Sequence, residues 1–292
     1  MNKFSVDQIL PEVSIIIASF NTKELLKECL YSIFKDKSSS QWEVVVVDNG
    51  SSDASVTMIK SKFPQVRLIE NRCNLGFATA QNQGLKSSHG KYILFLNSDT
   101  IVTGGVINSL VQLLASNTDV GLVSPKMVNK DHSIQPSCFH FPSVINTIKA
   151  YWLGKKELVA KYAPASDEPV CVDAVVGAAM MLPSVVAKDL GGFDQKYFFY
   201  FEDLDLCRRL KQKGWLVVFN PKAVIIHHHG ASGKPAANFK YLKESLLYPI
   251  KKIIGLSSEN TTHNYIVESS ILYFGWLRHL LITLIIRFVP RS

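Results

Sequence analysis

Short unbroken runs of apolar, β-branched residues alternate along this chain with stretches whose apolar positions recur every three or four residues. Residues 13–19 (VSIIIAS) and 44–47 (VVVV) are runs of the first kind, the pattern of strands buried on both faces. Between them, TKELLKECLYSIF sets Leu25, Leu26, Cys29, Leu30 and Ile33 on one helical face. The unit then repeats. Ser51-Ser52-Asp53 offer caps for a helix running through Phe63, and VRLIE reads as a strand. ATAQNQGLKSS reads as a helix closed by Gly90, and YILFLNSD as another strand. GGVINSLVQLLASN, with Val106, Leu110, Leu113 and Leu114 in phase, predicts an amphipathic helix before the strand VGLVS. Such alternation predicts an α/β fold: a mostly parallel sheet with helices on both faces.

Beyond residue 125 the alternation loosens. Residues 126–170 are proline-rich and read as loops around one short helix. VCVDAVVGAAMML reads as a strand, or a strand and a bend; DLDLCRRLKQKG as a short helix stopped by Gly214; WLVVFNP and AVIIH as two strands. This half is α+β in character, as expected of a lobe that shapes a substrate site.

Composition adds exclusions. With 47% hydrophobic and 19% charged residues among 292, the chain has material for a full core and is not a disordered one. The five cysteines (Cys29, Cys73, Cys138, Cys171, Cys207) are scattered and never form CxxC, which argues for a reducing compartment over a disulfide framework or thiolate zinc site. No apolar run follows the N-terminal lysine, so no signal peptide is expected.

Net charge is +8, and half of it sits in residues 236–292, where seven Lys/Arg face three Glu. That segment ends in ILYFGWLRHLLITLIIRFVP (271–290), about long enough to span a bilayer but interrupted by Arg278 and His279. Tyr273, Trp276 and the flanking cations suit a helix lying at the headgroup level. Packing against the catalytic body is the alternative. No helix-turn-helix, RNP-type aromatic pair or dense basic stripe supports nucleic acid as partner.

The first βα turn, Ser19-Phe20-Asn21-Thr22-Lys23, lacks the glycines of a dinucleotide site, and no P-loop occurs. A nucleotide on this sheet therefore needs its phosphates held otherwise, and a metal ion is the obvious means. Asp48 closes VVVV, where a carboxylate at a strand's carboxyl end reaches a ribose hydroxyl or base N–H; an Asx-turn in Asp-Asn-Gly is the other reading. Asp53 reads as a helix cap. Asp99, after ILFLNSD with Asn97 two residues before it, can reach a hard cation. Glu202, Asp203 and Asp205 follow the aromatic run YFFYF and open a helix. A carboxylate held ionised there is a workable general base. His227 ends AVIIH and is an imidazole candidate for the same cation, though His227-His228-His229 leaves the choice among three open.

Taken in order, VSIIIASFN, VVVVDNGSSD, ENRCNLGFATAQNQG, LFLNSD, VVGAAMML, GGFDQKYFFYFEDLDLCRRLKQKGW and AVIIHHHGAS resemble a family 2 glycosyltransferase of the GT-A fold, of the rhamnosyltransferase-like bacterial group. The resemblance covers residues 12–235 and implies a mostly parallel nucleotide-binding sheet flanked by helices and an α+β acceptor lobe. Residues 236–292 would be a helical, membrane-associating extension. It further implies that Ser19, Phe20, Asn21 and Asp48 hold the base and ribose. Asn74, Leu75, Gly76 and Phe77, with Asn97 and Ser98, would line the donor pocket, and Arg72 would lie near the phosphates or sugar. Asp99 matches the metal-binding acid of a motif that usually reads Asp-x-Asp, with Asn97 in place of its first acid. Gly177-Ala178-Ala179 would border the acceptor. Asp203 matches the catalytic base, and Glu202 or Asp205 would orient a sugar. His227, in a His-x-x-Gly-x-Ser pattern with Gly230 and Ser232, would complete the metal site.

The implied reaction is metal-dependent (Mg2+ or Mn2+), inverting transfer from a dTDP- or UDP-sugar, with dTDP-rhamnose as the first guess. The acceptor would be a polyprenyl-diphosphate-linked glycan of bacterial surface polysaccharide or lipopolysaccharide synthesis. The enzyme would be cytoplasmic and peripheral to the inner membrane, with a second copy of itself as a further candidate partner. Two alternatives stand beside it. A nucleotidyltransferase generally carries a Gly-rich basic loop that SFNTKE lacks. A non-catalytic scaffold of a glycan-assembly complex would be consistent with Asn97.

Overall fold

The computed structural model describes residues 10–38, 41–141 and 160–228. Chain order follows the predicted alternation from β1 (Val13–Ser19) through α1 (Lys23–Phe34), β2 (Trp42–Asp48), α2 (Ser55–Lys62), β3 (Arg67–Glu70) and α3 (Phe77–Ser87) to β4 (Tyr92–Asn97). A three-residue strand β5 (Thr100–Val102) precedes α4 (Val106–Ser116) and β6 (Val120–Val128). The irregular half supplies β7 (Ile134–Gln135), β8 (Cys138–Phe139), β9 (Val170–Cys171), β10 (Ala174–Val175) and β11 (Ala179–Pro183). It closes with α5 (Ser184–Asp189), α6 (Glu202–Gln212) and β12 (Leu216–His227).

The main sheet runs in the order β3-β2-β1-β4-β11-β6-β12-β5. Strands β3, β2, β1 and β4 are mutually parallel, β11 is antiparallel between β4 and β6, and β12 is parallel to β6. Each central strand is buried on both sides, and its alternate residues enter different cores. Ile15, Ile17, Leu94 and Leu96 pack with Leu26, Leu30, Ile59 and Leu110 of α1, α2 and α4. Ile16, Ile93 and Phe95 pack with Leu85, Val186 and Leu206 of α3, α5 and α6. Burying a side chain such as Phe95 completely is worth roughly 1.5–3 kcal/mol.

Several expectations need correction. VCVDAVVGAAMML is three strands (β9, β10, β11), with only β11 in the sheet's centre. WLVVFNP and AVIIH form one strand, β12, whose register against β6 shifts between Asn220 and Val224. Pro221 lacks the N–H a regular ladder would use there, so the strand bulges rather than ends. Strand β5 and helix α5 escaped the pattern because each is too short to show a period. Gly90 does not stop α3, which ends at Ser87. A Cβ on Gly90 would lie 2.5 Å from the Ser14 nitrogen, so a close backbone approach demands that glycine. The short helix expected within 126–170 falls partly in 142–159, and the C-terminal extension wholly, outside the described residues.

Candidate active site

The carboxyl ends of β1, β2 and β4 meet at one edge of the parallel sheet, and their turns are laced together by side chains. Thr22 donates its hydroxyl to Ser98 Oγ at 3.0 Å and lies 2.9 Å from Ser19 Oγ. Thr22 has one proton to give, so Ser19 donates to Thr22 and the buried chain runs Ser19→Thr22→Ser98. Asn21, at φ +53°, donates its amide to Ser51 Oγ and accepts from the Ser52 amide through Oδ1. Asp53 takes the Lys23 amide on Oδ2 and the Ser55 amide on Oδ1, so it ties the start of α1 to that of α2 from a position one residue before the N-cap of α2, Ala54. Burial raises the Asp53 pKa, but the Ser55 and Lys23 hydrogen bonds overcome it and the net shift is downward.

A cleft opens beside this lacing. Of the residues expected at a donor site, Ser19, Phe20, Asn74, Gly76, Phe77, Asn97 and Ser98 line it. Ala18, Thr22, Asn49, Phe198 and Phe199 join them. The two phenylalanines come from the aromatic run YFFYF, whose apolar character was the available signal; Asn49 and Thr22 read in sequence only as turn residues. Gly76 is required where it is. Its φ is +88°, and a Cβ there would meet the Phe198 carbonyl oxygen at 2.7 Å, the atom that accepts from the Phe77 amide.

Four expected donor residues lie off the cleft's lining. Arg72 and Leu75 are exposed, and Asn21 is engaged in the turn described above. Asp48 is buried and forms the Asx-turn with Oδ2, which accepts from Gly50 and Ser51. Its Oδ1 is buried with no hydrogen-bond partner among the described residues. Both readings of Asp48 therefore survive in one side chain, one oxygen for each.

The carboxylates at the start of α6 separate by environment. Asp203 is half-buried; Oδ2 accepts the Gly177 amide at 3.0 Å and Oδ1 the Leu204 amide at 2.8 Å. Burial raises its pKa in spite of those two amides and the charge of Lys161. Glu202 is raised well above the ordinary carboxyl value, by burial first and then by the adjacent Asp203. The pair therefore holds a proton on Glu202 more readily than two isolated carboxyls would. Asp205 is different: its Oδ2 binds Arg209 Nε at 2.7 Å, and Arg209 also donates to the Leu190 and Gly192 carbonyls. Its carboxylate thereby braces the loop after α5.

Asp203 connects to the cleft through backbone. The Asn97 amide donates to the Ala178 carbonyl at 2.9 Å, and neighbouring Gly177 donates to Asp203. One strand lead-in thus carries both the cleft wall and the candidate base.

Asp99 and His227 meet on the other side of Asn97, brought together by antiparallel pairing of β5 with β12 in the register Thr100↔His227. Both are buried, with His227 Nε2 3.4 Å from Asp99 Oδ1. Two ligands bound in adjacent positions at ~2.1 Å from one cation stand about 3 Å apart, so the separation and the oxygen–nitrogen donor pair suit a small divalent cation. Among the described residues no three His, Cys, Asp or Glu side chains converge. His227 sets its ring beside Asp99, and the His228 amide donates to the Asp99 carbonyl at 2.9 Å; His229, Gly230 and Ser232 lie outside the described residues.

Comparison with known proteins gives a consistent result. A family model described as glycosyl transferase family 2 matches residues 14–162, and one described as glycosyl transferase family group 2 matches residues 92–290. The N-acetylglucosaminyl-diphospho-decaprenol L-rhamnosyltransferase of Mycobacterium tuberculosis is 28% identical over 215 residues, covering 67% of this chain and 70% of its own length. Among solved structures, a mannosyltransferase from Pyrobaculum calidifontis in complex with GDP-Man and Mn2+ superimposes with a TM-score of 0.58 at 19% identity. That match covers 90% of this chain and 69% of the other. Residues 1–349 of TarS from S. aureus superimpose with a TM-score of 0.55 at 15% identity, covering 88% and 70%.

Proposed function

The chain belongs to glycosyl transferase family 2, with the GT-A fold, and from that premise we propose that it moves a sugar from a nucleoside-diphosphate donor to a lipid-diphosphate-linked glycan, inverting the anomeric carbon. The observation that carries the reading is the shared lead-in to β11, which bonds Asn97 of the cleft through Ala178 and Asp203 through Gly177. A donor in the cleft and an acceptor beside Asp203 would then be held within reach of one another, as a single displacement requires.

Asp203 is the base in this mechanism. Its raised pKa makes it a stronger proton acceptor than an ordinary aspartate, and the Gly177 and Leu204 amides hold its oxygens in place while the acceptor hydroxyl approaches. Glu202 supports it as a neutral neighbour that retains its own proton. Phe77, Phe198 and Phe199 exclude water from one wall of the cleft, and Asp48 Oδ1 is a buried acceptor at the end of β2 suited to a donor hydroxyl or N–H. Asp99 and His227 are the residues that would hold a divalent cation. When bound, it supplies positive charge beside a departing diphosphate. With Asn97 contributing no charge, those two side chains carry the share of that site held by the described residues.

The activity of the mycobacterial relative supports rhamnose as the sugar and a polyprenyl-diphosphate N-acetylglucosamine as the acceptor. Family membership sets aside the nucleotidyltransferase alternative. The basic, apolar segment 236–292 supports a peripheral position at the cytoplasmic face of the membrane, where such an acceptor resides.

The test is a panel of dTDP-, UDP- and GDP-sugars with Mn2+ or Mg2+, read first as thermal stabilisation. Transfer to a polyprenyl-diphosphate N-acetylglucosamine acceptor follows, with product anomeric configuration assigned by NMR. Stabilisation by one nucleotide class and an inverted product are expected. No stabilisation by any nucleotide with metal present would return the chain to the scaffold reading.

A further inference from the structure

We propose that Gln135 is a positioning residue for His227, holding a proton on Nδ1 and turning Nε2 toward Asp99. The argument runs along a hydrogen-bond chain whose direction is determined at its far end. Asp131 offers only acceptors when ionised, so Ser133 donates its single proton to Asp131 Oδ1. Ser133 Oγ must then accept from Asn129 Nδ2, at 2.9 Å, which orients the Asn129 amide and leaves its Oδ1 as acceptor. Gln135 Nε2 donates to that oxygen at 2.9 Å, which orients the Gln135 amide in turn. Its Oε1 therefore faces His227 Nδ1, 2.6 Å away, and a carbonyl oxygen can only accept. Nδ1 carries the proton.

The consequence lies on the ring's other side. With Nδ1 committed to Gln135, Nε2 is the nitrogen turned to Asp99, 3.4 Å from its Oδ1, and the one placed to meet a cation there. Gln135 is itself buried, on β7, where its neighbour Ile134 is exposed. Burial holds its amide on the histidine, and the β6–β7 hairpin carries the rest of the chain: the Asn129 amide also donates to the Ser133 carbonyl. The value of this ring orientation to the protein rests on the metal reading above; the Nδ1–H bond to Gln135 does not.

Two measurements test the inference separately. Histidine ring 15N shifts in the metal-free protein, with the His227 signal assigned through His227→Gln, are expected to show a proton on Nδ1. A bare Nδ1 overturns the inference. The second measurement is Mn2+ affinity by electron paramagnetic resonance with dTDP or UDP present. Gln135→Met, which offers no acceptor to Nδ1, is expected to weaken Mn2+ binding about 10–100-fold. Equal Mn2+ affinity in wild type and a Gln135→Met protein with wild-type melting overturns it. Should wild type bind no Mn2+ with either nucleotide, the metal reading falls, and the ring shifts alone decide for or against Gln135.

Discussion

The Gly177 amide donates to Asp203 Oδ2 at 3.0 Å, and a Cβ added to Gly177 would sit 3.3 Å from Asp203 Cβ. Strand β11 thus begins by gripping the side chain on which the proposed chemistry depends. Asp203→Asn keeps the shape but cannot take a proton at neutral pH. Transfer is expected to fall by about 10²–10⁴-fold with nucleotide binding little changed, measured by initial rates and by the thermal shift that nucleotide produces. Near wild-type transfer would refute the base assignment.

Glu202→Gln should behave differently from its neighbour. The Glu202 pKa is raised by burial and by Asp203, so the folded state favours its neutral form. Stability from that form is complete below the ordinary carboxyl pKa and is lost as pH rises toward the raised folded value. Glutamine is neutral throughout. The variant is therefore expected to melt higher than wild type at pH 7–8, with the difference shrinking below pH ~4.5, where both side chains are neutral. Transfer activity should stay within several-fold of wild type.

Asp99→Asn and His227→Ala should each raise the Mn2+ concentration needed for half-maximal transfer. Because the two side chains would share one cation, the double variant is expected to lose much less than the product of the single losses. A fully multiplicative loss, measured over a Mn2+ titration, would mean that the residues act separately.

Asn82 mimics a backbone partner: Oδ1 accepts the Phe193 amide at 2.9 Å and Nδ2 donates to the Phe193 carbonyl at 2.7 Å, all buried. Asn82→Ala strands both groups and should cost about 1–3 kcal/mol, read from denaturant unfolding. The loop it anchors leads to the phenylalanine wall, so nucleotide affinity should fall with it.

Glu43 gathers the Ser14 hydroxyl and the His89 and Gly90 amides at the opposite end of the sheet, with Arg67 nearby. Burial raises its pKa, but the Ser14 and His89 hydrogen bonds and Arg67 outweigh that, leaving it below the ordinary value. A depressed carboxyl pKa stabilises above the unfolded value and ceases to as pH falls through the folded one. Glu43→Gln should therefore lower the melting temperature at pH 7 and flatten its decline toward pH 3.

Much of the site was legible locally. Ser19, Asp48, Asn97, Asp99 and His227 all stand at or just past the carboxyl ends of apolar runs, and a parallel sheet collects such ends at one edge. Unbroken apolar runs and a 3.6-residue period therefore forecast both the fold and the edge where the cleft lies. The surroundings of Arg72 and Asp205 were not legible, because charge in sequence does not reveal what it meets: Asp205 binds Arg209 one helical turn on, and Arg72 is exposed. Thr22 and Gln135 gave no signal, since a hydroxyl or amide is conspicuous only once its neighbours are known.

The chain's own pattern determined the alternating elements, the both-faces burial of the central strands and the positions of the acidic and imidazole groups at strand ends, because these follow from local periodicity and turn chemistry. Tertiary structure decided which of those groups meet. β5 folds back antiparallel on the end of β12 and sets Asp99 against His227; the lead-in to β11 sets Gly177 against Asp203; a hairpin turn orients Gln135. Those contacts join residues far apart in sequence through strand register, and register is settled by the packing of the whole sheet, not by any one segment.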